Sequence, residues 1–269
     1  MTQYPTLGQI LLLVLLAAFL APLLVGSIAG LYSLQGGLIA AECSIICFMA
    51  LFIRRHHMVP EDLLLLNATP PTTLLATGAT ALCATLLIAD FDLLCSELLA
   101  ILDFRLPLTF QRYLLEIQLI HDLPGLGLVL VGVVLAPALC EELFFRGLVF
   151  TGLYVHHGTR AAVLGSSLLF AVVHFSRPWQ FPAFFLFGLF LAALVYWTHS
   201  IYPAVLAHAI NNLVSTVGIN LKIHLGLDAL GFDQHLPLPV TGLALAILVG
   251  GLLFLRWRPS IVSLSTAAN

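Results

Sequence analysis

Long apolar runs follow one another along the whole of this 269-residue chain. Hydrophobic residues make up 61% of it and charged residues only 9%, whereas soluble domains are about 45–50% apolar. A helix needs about 20 apolar residues to cross the hydrocarbon core of a bilayer. The pattern therefore predicts an all-α fold, a polytopic helical bundle in a membrane, formed as one domain by residues 1–269.

Eight of these runs are candidates for membrane-spanning helices, and the fourth is longer than one bilayer requires. They lie at residues 8–31, 36–53, 72–94, 126–155, 161–176, 181–198, 203–220 and 238–255. The segment from Cys95 to Pro124 carries several charges. It is either an interfacial amphipathic helix or a loop outside the membrane.

Basic residues in the loops indicate the orientation, since short cytoplasmic loops carry an excess of Lys and Arg. The side that holds both predicted termini receives Arg54, Arg55, Arg160, Arg256 and Arg258. The other side receives Arg105, Arg112, Arg177 and Lys222, together with most of the acidic residues. We predict cytoplasmic termini and, from the compact chain with its single lysine, a prokaryotic inner membrane. The net charge of −3 gives no basic footprint for nucleic acid.

Two adjacent glutamates and an arginine lie inside the fourth apolar run, between Ala136 and Gly147. Ionised groups at that depth cost about 2.5–3.5 kcal/mol each and by default mark a functional site. Glu142 and Arg146 are four residues apart, so they share a helical face and can pair. Glu141 is rotated by about 100° from Glu142 and can point into a cavity. This arrangement suits acid–base chemistry, although an ion pair at a helix end would give the same pattern.

Two further apolar runs carry polar residues of the same kind. His174 follows Phe170 by four residues in the fifth run, and His208 precedes Asn212 by four residues in the seventh. Each alone could be a packing residue that hydrogen-bonds between helices. Together with the glutamates they indicate one hydrolytic site, with Glu141 as general base. The other three side chains would orient water or stabilise an oxyanion.

In chain order these residues form three motifs, Glu141-Glu142-x-x-x-Arg146, Phe170-x-x-x-His174 and His208-x-x-x-Asn212. The chain thereby resembles the CAAX-protease and bacteriocin-processing family (CPBP, or Abi) of intramembrane proteases, whose pattern is EExxxR, FxxxH and HxxxN/D. Family members of eukaryotes and archaea cleave prenylated CAAX proteins. The resemblance covers residues 126–220, which it identifies as the catalytic core.

The resemblance implies a role for each site residue. Glu141 would activate the attacking water with help from His174, and the ion pair of the first motif would shape the site. His208 and Asn212 would stabilise the oxyanion of the tetrahedral intermediate. The implied partners are the lipid bilayer and a membrane-attached protein or peptide substrate, prenylated or carrying a sorting signal.

The family has been described both as metalloproteases and as glutamate-dependent proteases. Glu141, His174 and His208 could be the three protein ligands of a catalytic zinc ion with one open position. They could equally act without metal, as base and hydrogen-bond donors. Asn212 suits an oxyanion better than zinc, and this favours the metal-free alternative.

Two other functions are compatible with the composition. One is a non-proteolytic membrane factor on the same scaffold, for peptide binding or bacteriocin immunity, against which the intact triple motif argues. The other is a proton-coupled transporter, which predicts interrupted helices in matched halves that the sequence does not show.

The predicted span boundaries place Glu141 and His174 at different depths in the membrane. Bringing them together requires shifted boundaries or a broken, shifted or tilted helix.

Overall fold

The computed structural model describes residues 4–103, 107–174, 177–226 and 234–257, and all regular structure within these ranges is helical. A single 3₁₀ turn, Pro178–Gln180, separates the sixth helix from the seventh. The helices are α1 (Leu7–Gly30), α2 (Leu34–Arg55), α3 (Pro60–Leu64), α4 (Pro71–Ile101), α5 (Leu108–Glu116), α6 (Leu123–Val173), α7 (Phe181–Thr198), α8 (Tyr202–Leu225) and α9 (Leu238–Trp257).

Seven of these helices are long and apolar enough to cross a membrane, namely all except the short α3 and α5. The predicted all-α polytopic bundle is therefore confirmed. The predicted fourth span and residues 161–173 of the predicted fifth fall within α6, which is 51 residues long. Arg105, Arg258 and the last two residues of the predicted fifth span lie outside the described residues.

The long helix α6 is a hairpin of two arms rather than one straight rod. Gly158, with φ 80° and ψ 178°, is the point where it turns. The Arg146 guanidinium carbon lies 4.3 Å from the centre of the Phe170 ring, whereas 24 residues of straight helix would separate them by about 36 Å. The first arm (123–157) and the second arm (159–173) therefore lie side by side. Counting the two arms separately turns the seven membrane-length helices into eight helical segments.

The hairpin also places the motif residues at one depth. Arg146 is 12 residues before Gly158 and Phe170 is 12 residues after it, while Glu141 and His174 are 17 before and 16 after. Equal distances from the turn bring residues opposite each other, since each helical residue rises about 1.5 Å. The depth difference expected from span counting is absent because α6 is broken at Gly158.

The segment between the third and fourth predicted spans is partly helical. Its first seven residues extend α4 to Ile101, and α5 follows as a short exposed helix. Beyond α5, hydrogen bonds connect the chain to two of the membrane-spanning helices. Gln35 Nε2 of α2 donates to the Ile117 carbonyl at 3.1 Å, and Asn220 Nδ2 of α8 donates to the Gln118 carbonyl at 2.8 Å.

Large apolar side chains occupy both the interior and the outside of the bundle. Phe144, Phe145 and Leu148 of the first arm are fully buried, next to Leu191 of α7 in the same core. The outward surface of the spans is also rich in leucine, isoleucine and valine. Hydrocarbon rather than water suits such a surface, since transfer of apolar side chains out of water is favourable.

Candidate active site

The two glutamates lie in a short α-helical stretch with wider π-helical turns on both sides. The stretch is Ala136–Glu142, preceded by the π-helical residues Leu130–Leu135 and followed by Leu143–Val149. Pro137 lacks a backbone N–H and cannot complete the ordinary helical bonding pattern. Single π turns are frequent at functional sites, where they turn side chains away from the regular helical position.

Glu142 is the centre of a fully buried polar cluster. Its Oε1 accepts a hydrogen bond from Arg146 Nη1 at 3.0 Å, and both side chains are 0% exposed. The pair predicted from the spacing is therefore present. The same oxygen lies 2.8 Å from Nδ1 of His208, which reaches it from α8. An ionised carboxylate accepts only, so His208 donates from Nδ1.

Arg146 is held from two further sides. Its Nη2 donates to the Gly188 carbonyl of α7 at 3.3 Å, and its guanidinium lies over the Phe170 ring. A β-carbon at residue 188 would lie 3.0 Å from the Cα of Ser167 and 3.3 Å from Arg146 Nη2. Glycine at this position therefore permits the close approach of α7 to the second arm.

Glu141 points towards His174 and away from the buried pair of Glu142 and Arg146. Glu141 Oε1 lies 4.0 Å from His174 Nε2, and the two side chains are 13% and 21% exposed. The other ring nitrogen, Nδ1, donates to the Phe170 carbonyl at 2.8 Å. In a neutral imidazole this leaves Nε2 as an acceptor. Two acceptors cannot hydrogen-bond to each other, but one water molecule can donate to both across the 4.0 Å gap.

Aromatic rings enclose both histidines. Phe184 of α7 stacks on the His174 ring at 4.1 Å between centroids. Phe187 meets the His208 ring edge-on at 5.5 Å, and Phe170 does so at 6.0 Å. Such walls restrict water and lower the local dielectric constant, so charges that develop inside interact strongly.

Asn212 lies one turn after His208 on α8, on the same helical face. Its Oδ1 accepts a hydrogen bond from Asn211 Nδ2 at 3.3 Å. No hydrogen bond between the described residues uses its Nδ2. The structure thus brings Glu141 together with His174. It brings Glu142 together with Arg146 and His208. The position of Asn212 follows only from its place on α8.

A buried glutamate that the motifs do not include lies on a neighbouring helix. Glu42 of α2 is 8% exposed, and α2 packs against the stretch Ala136–Glu142 of the first arm. In the sequence it is a lone glutamate inside the otherwise apolar second span. No spacing rule connects it to residues almost 100 positions later, so only the packing of α2 against the first arm reveals its place.

Three buried carboxylate oxygens in this site have no hydrogen-bond partner among the described residues, namely Oε2 of Glu42, Glu141 and Glu142. Buried polar atoms in native proteins are nearly always bonded to protein or to ordered water. Three such atoms on the two packed elements indicate a site built to receive water or another polar ligand.

The possible zinc ligands do not form a zinc site. Within the described ranges, no three His, Cys, Asp or Glu side chains are grouped so that they could hold a metal ion. The arrangement of Glu141, His174 and His208 therefore does not fit the tetrahedral set that zinc requires.

Seven membrane-length apolar helices around a buried cluster of carboxylates and histidines define an integral membrane protein with an internal polar site. Residues 124–214 match the family model described as Type II CAAX prenyl endopeptidase Rce1-like. The matched residues include all three motifs, and the match confirms the resemblance that the motifs indicate. No curated protein and no solved structure matches the chain.

Proposed function

We propose that the protein is an intramembrane endopeptidase of the CAAX-protease type, which hydrolyses a peptide bond by glutamate-activated water. The observation that carries the proposal is the 4.0 Å gap between Glu141 Oε1 and His174 Nε2. Both atoms are free to accept a proton, and the gap suits one bridging water molecule. The family match over residues 124–214 supports the same class of activity.

In the first step Glu141 accepts a proton from the bridging water while the water oxygen attacks the scissile carbonyl carbon. His174 holds the same water through Nε2, because its Nδ1 is bound to the Phe170 carbonyl. The proton taken by Glu141 then passes to the leaving amine nitrogen as the C–N bond breaks. Proton uptake and release balance, so the carboxylate is regenerated.

The oxyanion of the tetrahedral intermediate needs hydrogen-bond donors other than Glu141 and His174. Asn212 can provide its Nδ2, since its Oδ1 accepts from Asn211. His208 can donate from Nε2 only as an imidazolium ion, because its Nδ1 donates to Glu142. In that form, paired with the buried Glu142 carboxylate, His208 would be the second donor to the oxyanion.

A membrane-attached substrate fits this site better than a soluble one. Glu141 and His174 are enclosed among apolar helices and aromatic rings. A peptide held at the membrane by a prenyl group or an apolar segment would present its bond at the required position. The lipid bilayer and a membrane-attached protein or peptide, processed near its C-terminus, are therefore the proposed partners.

The test uses the purified full chain in detergent, with a panel of farnesylated, palmitoylated and unlipidated membrane peptides analysed by mass spectrometry. Glu141→Gln removes the base while preserving size, and it should abolish cleavage. The matched control is Glu61→Gln on the short helix α3, an exposed glutamate outside the motifs, which should cleave like the wild type.

Cleavage that persists in Glu141→Gln would remove Glu141 as the base. A zinc chelator should leave the wild-type rate unchanged, because the histidines do not form a zinc ligand set with Glu141. Loss of activity with the chelator and recovery on adding zinc would contradict the metal-free mechanism. A wild type that binds a peptide of the panel without cleaving it would instead indicate a peptide-binding factor.

A further inference from the structure

Arg177 is a cation beside the site that the proposed reaction does not use. It lies between the end of α6 and the 3₁₀ turn, and its backbone N–H donates to the His174 carbonyl at 2.9 Å. Its guanidinium carbon lies 5.9 Å from the centre of the Phe184 ring, which stacks on the His174 ring at 4.1 Å. These two distances place the guanidinium within 10 Å of the centre of the His174 ring.

The guanidinium of Arg177 forms no salt bridge with an acidic side chain in the described part of the chain. Glu141 and Asp92 attract it from beyond salt-bridge distance, and Asp92 instead accepts a hydrogen bond from Gln180 Nε2 at 2.6 Å. Arg177 is nevertheless partly buried. A charged side chain in the interior of a membrane protein normally pairs with an opposite charge, and one that does not marks a functional site by default.

Two neighbouring helices hold the turn that carries Arg177. Trp179 meets Phe110 of α5 edge-on at 6.0 Å between ring centroids, and Gln180 bonds to Asp92 of α4. The cation is therefore fixed beside the site before any ligand arrives, which lowers the entropic cost of binding. This position suits a group that enters the site together with the substrate better than a lipid headgroup outside the bundle.

We propose that Arg177 determines specificity by binding the free α-carboxylate at the C-terminus of the substrate. This inference rests on the proposed function. A guanidinium forms two parallel hydrogen bonds with a carboxylate, so its geometry and charge both match this group. Without the cation, an ionised Glu141 would repel a substrate carboxylate that lies this close to the scissile bond.

The test uses the farnesylated peptide of the panel in two forms, with a free C-terminal carboxylate and with a C-terminal amide. We expect the wild type to prefer the acid in kcat/KM by about 10- to 100-fold, the range that hydrogen bonds to charged groups provide. Arg177→Gln should bring this ratio close to one. Arg177→Lys should keep part of it, since lysine retains the charge but not the fork.

The matched control is Arg160→Gln, an exposed arginine at the start of the second arm, which should keep the wild-type ratio. An acid-to-amide ratio near one in the wild type, or a ratio that Arg177→Gln leaves unchanged, would overturn the assignment. An equal loss for both forms, seen only in nanodiscs that contain phosphatidylglycerol, would overturn it in favour of a lipid headgroup.

A binding measurement tests Arg177 without any cleavage. Fluorescently labelled acid and amide peptides are titrated onto Glu141→Gln and onto the double variant Glu141→Gln with Arg177→Gln. The acid should bind the first protein more tightly than the amide does, and the second protein should bind both alike. Equal binding of both forms to Glu141→Gln, or binding of neither, would overturn the assignment. Cleavage by Glu141→Gln would instead refute the proposed reaction, so the two failures are distinguishable.

Discussion

At the scale of single residues, three buried contacts converge on Arg146. It is fully buried and is bound by Glu142, the Gly188 carbonyl and the face of Phe170. Arg146→Met would leave the Glu142 carboxylate buried with only His208 as a partner. We expect a loss of about 3–5 kcal/mol in the free energy of unfolding, the usual result of removing one member of a buried pair.

This expectation can be measured by reversible unfolding in SDS and mixed micelles. Arg112→Met on the exposed face of α5 is the matched control and should change the free energy little. The double variant Arg146→Met with Glu142→Gln should recover part of the loss, since it removes the uncompensated charge. A stable Arg146→Met single variant would contradict the cost assigned to the buried carboxylate.

Residue spacing predicted only those contacts of the site that are local in the chain. Glu142 with Arg146 follows from the four-residue interval of one helical face. The contact of His208 with Glu142 spans 66 residues and depends on how α8 packs against the first arm. Glu42 belongs to no motif, so its place beside the first arm depends wholly on tertiary packing.

At the scale of elements, the turn at Gly158 determines whether α6 is a hairpin. Its φ of 80° with ψ near 180° is a conformation that is essentially restricted to glycine. Gly158→Ala meets no neighbouring atom within 4 Å, so its cost is backbone strain rather than a clash. We expect a loss of about 1–3 kcal/mol in the free energy of unfolding and lower activity, because the arms hold Glu141 opposite His174.

Gly242 in α9 is the matched control, because a β-carbon there also meets nothing within 4 Å while the backbone is helical. Gly242→Ala should be neutral or slightly stabilising, since alanine favours a helix over glycine. Equal effects of the two substitutions on unfolding in SDS would refute the strain at Gly158.

Hydropathy predicted the spans well because each needs a long apolar stretch whatever its neighbours are. It could not predict that helical structure continues to both sides of Gly158, since an interruption in apolar character does not reveal whether a turn or a loop follows. The π-helical turns around Ala136–Glu142 were also beyond sequence patterns. Their hydrogen bonding depends on tertiary contacts and on Pro137 rather than on hydrophobic periodicity.

At the scale of the whole molecule, α9 is joined to α4 by a polar contact at one end of the bundle. His235, just before α9, lies 3.0 Å from Asp90 Oδ1 through Nδ1 and 3.1 Å from Glu97 Oε2 through Nε2. Hydrogen bonds to Glu97 and Asp90 raise the pKa of His235 above its usual value. Only the protonated ring can donate from both nitrogens.

This contact predicts how stability depends on pH. Because the pKa of His235 is raised in the folded state, the stabilisation from this contact is complete below the unfolded pKa of about 6.5. The stabilisation is lost as pH rises through the folded pKa. We therefore expect the melting temperature to fall modestly over that window, since the groups are partly exposed. His235→Gln should remove this part of the pH dependence.

The comparison of melting curves between wild type and His235→Gln at several pH values checks this prediction. His224 at the end of α8 is the matched control, since it is an exposed histidine near a helix end. A pH dependence that is the same in wild type and His235→Gln would refute the role of the contact.

The partnership of Glu142 and Arg146 within one helical turn has a consequence for biosynthesis. When the first arm leaves the ribosome, His208 is still 66 residues away, and α7 has not been made. The two opposite charges can nevertheless pair as soon as this arm becomes helical. The insertion machinery then receives them as one neutral unit, which lowers the cost of about 2.5–3.5 kcal/mol per charge when the segment partitions into lipid. A pair assembled from two distant spans would expose each charge alone at that step.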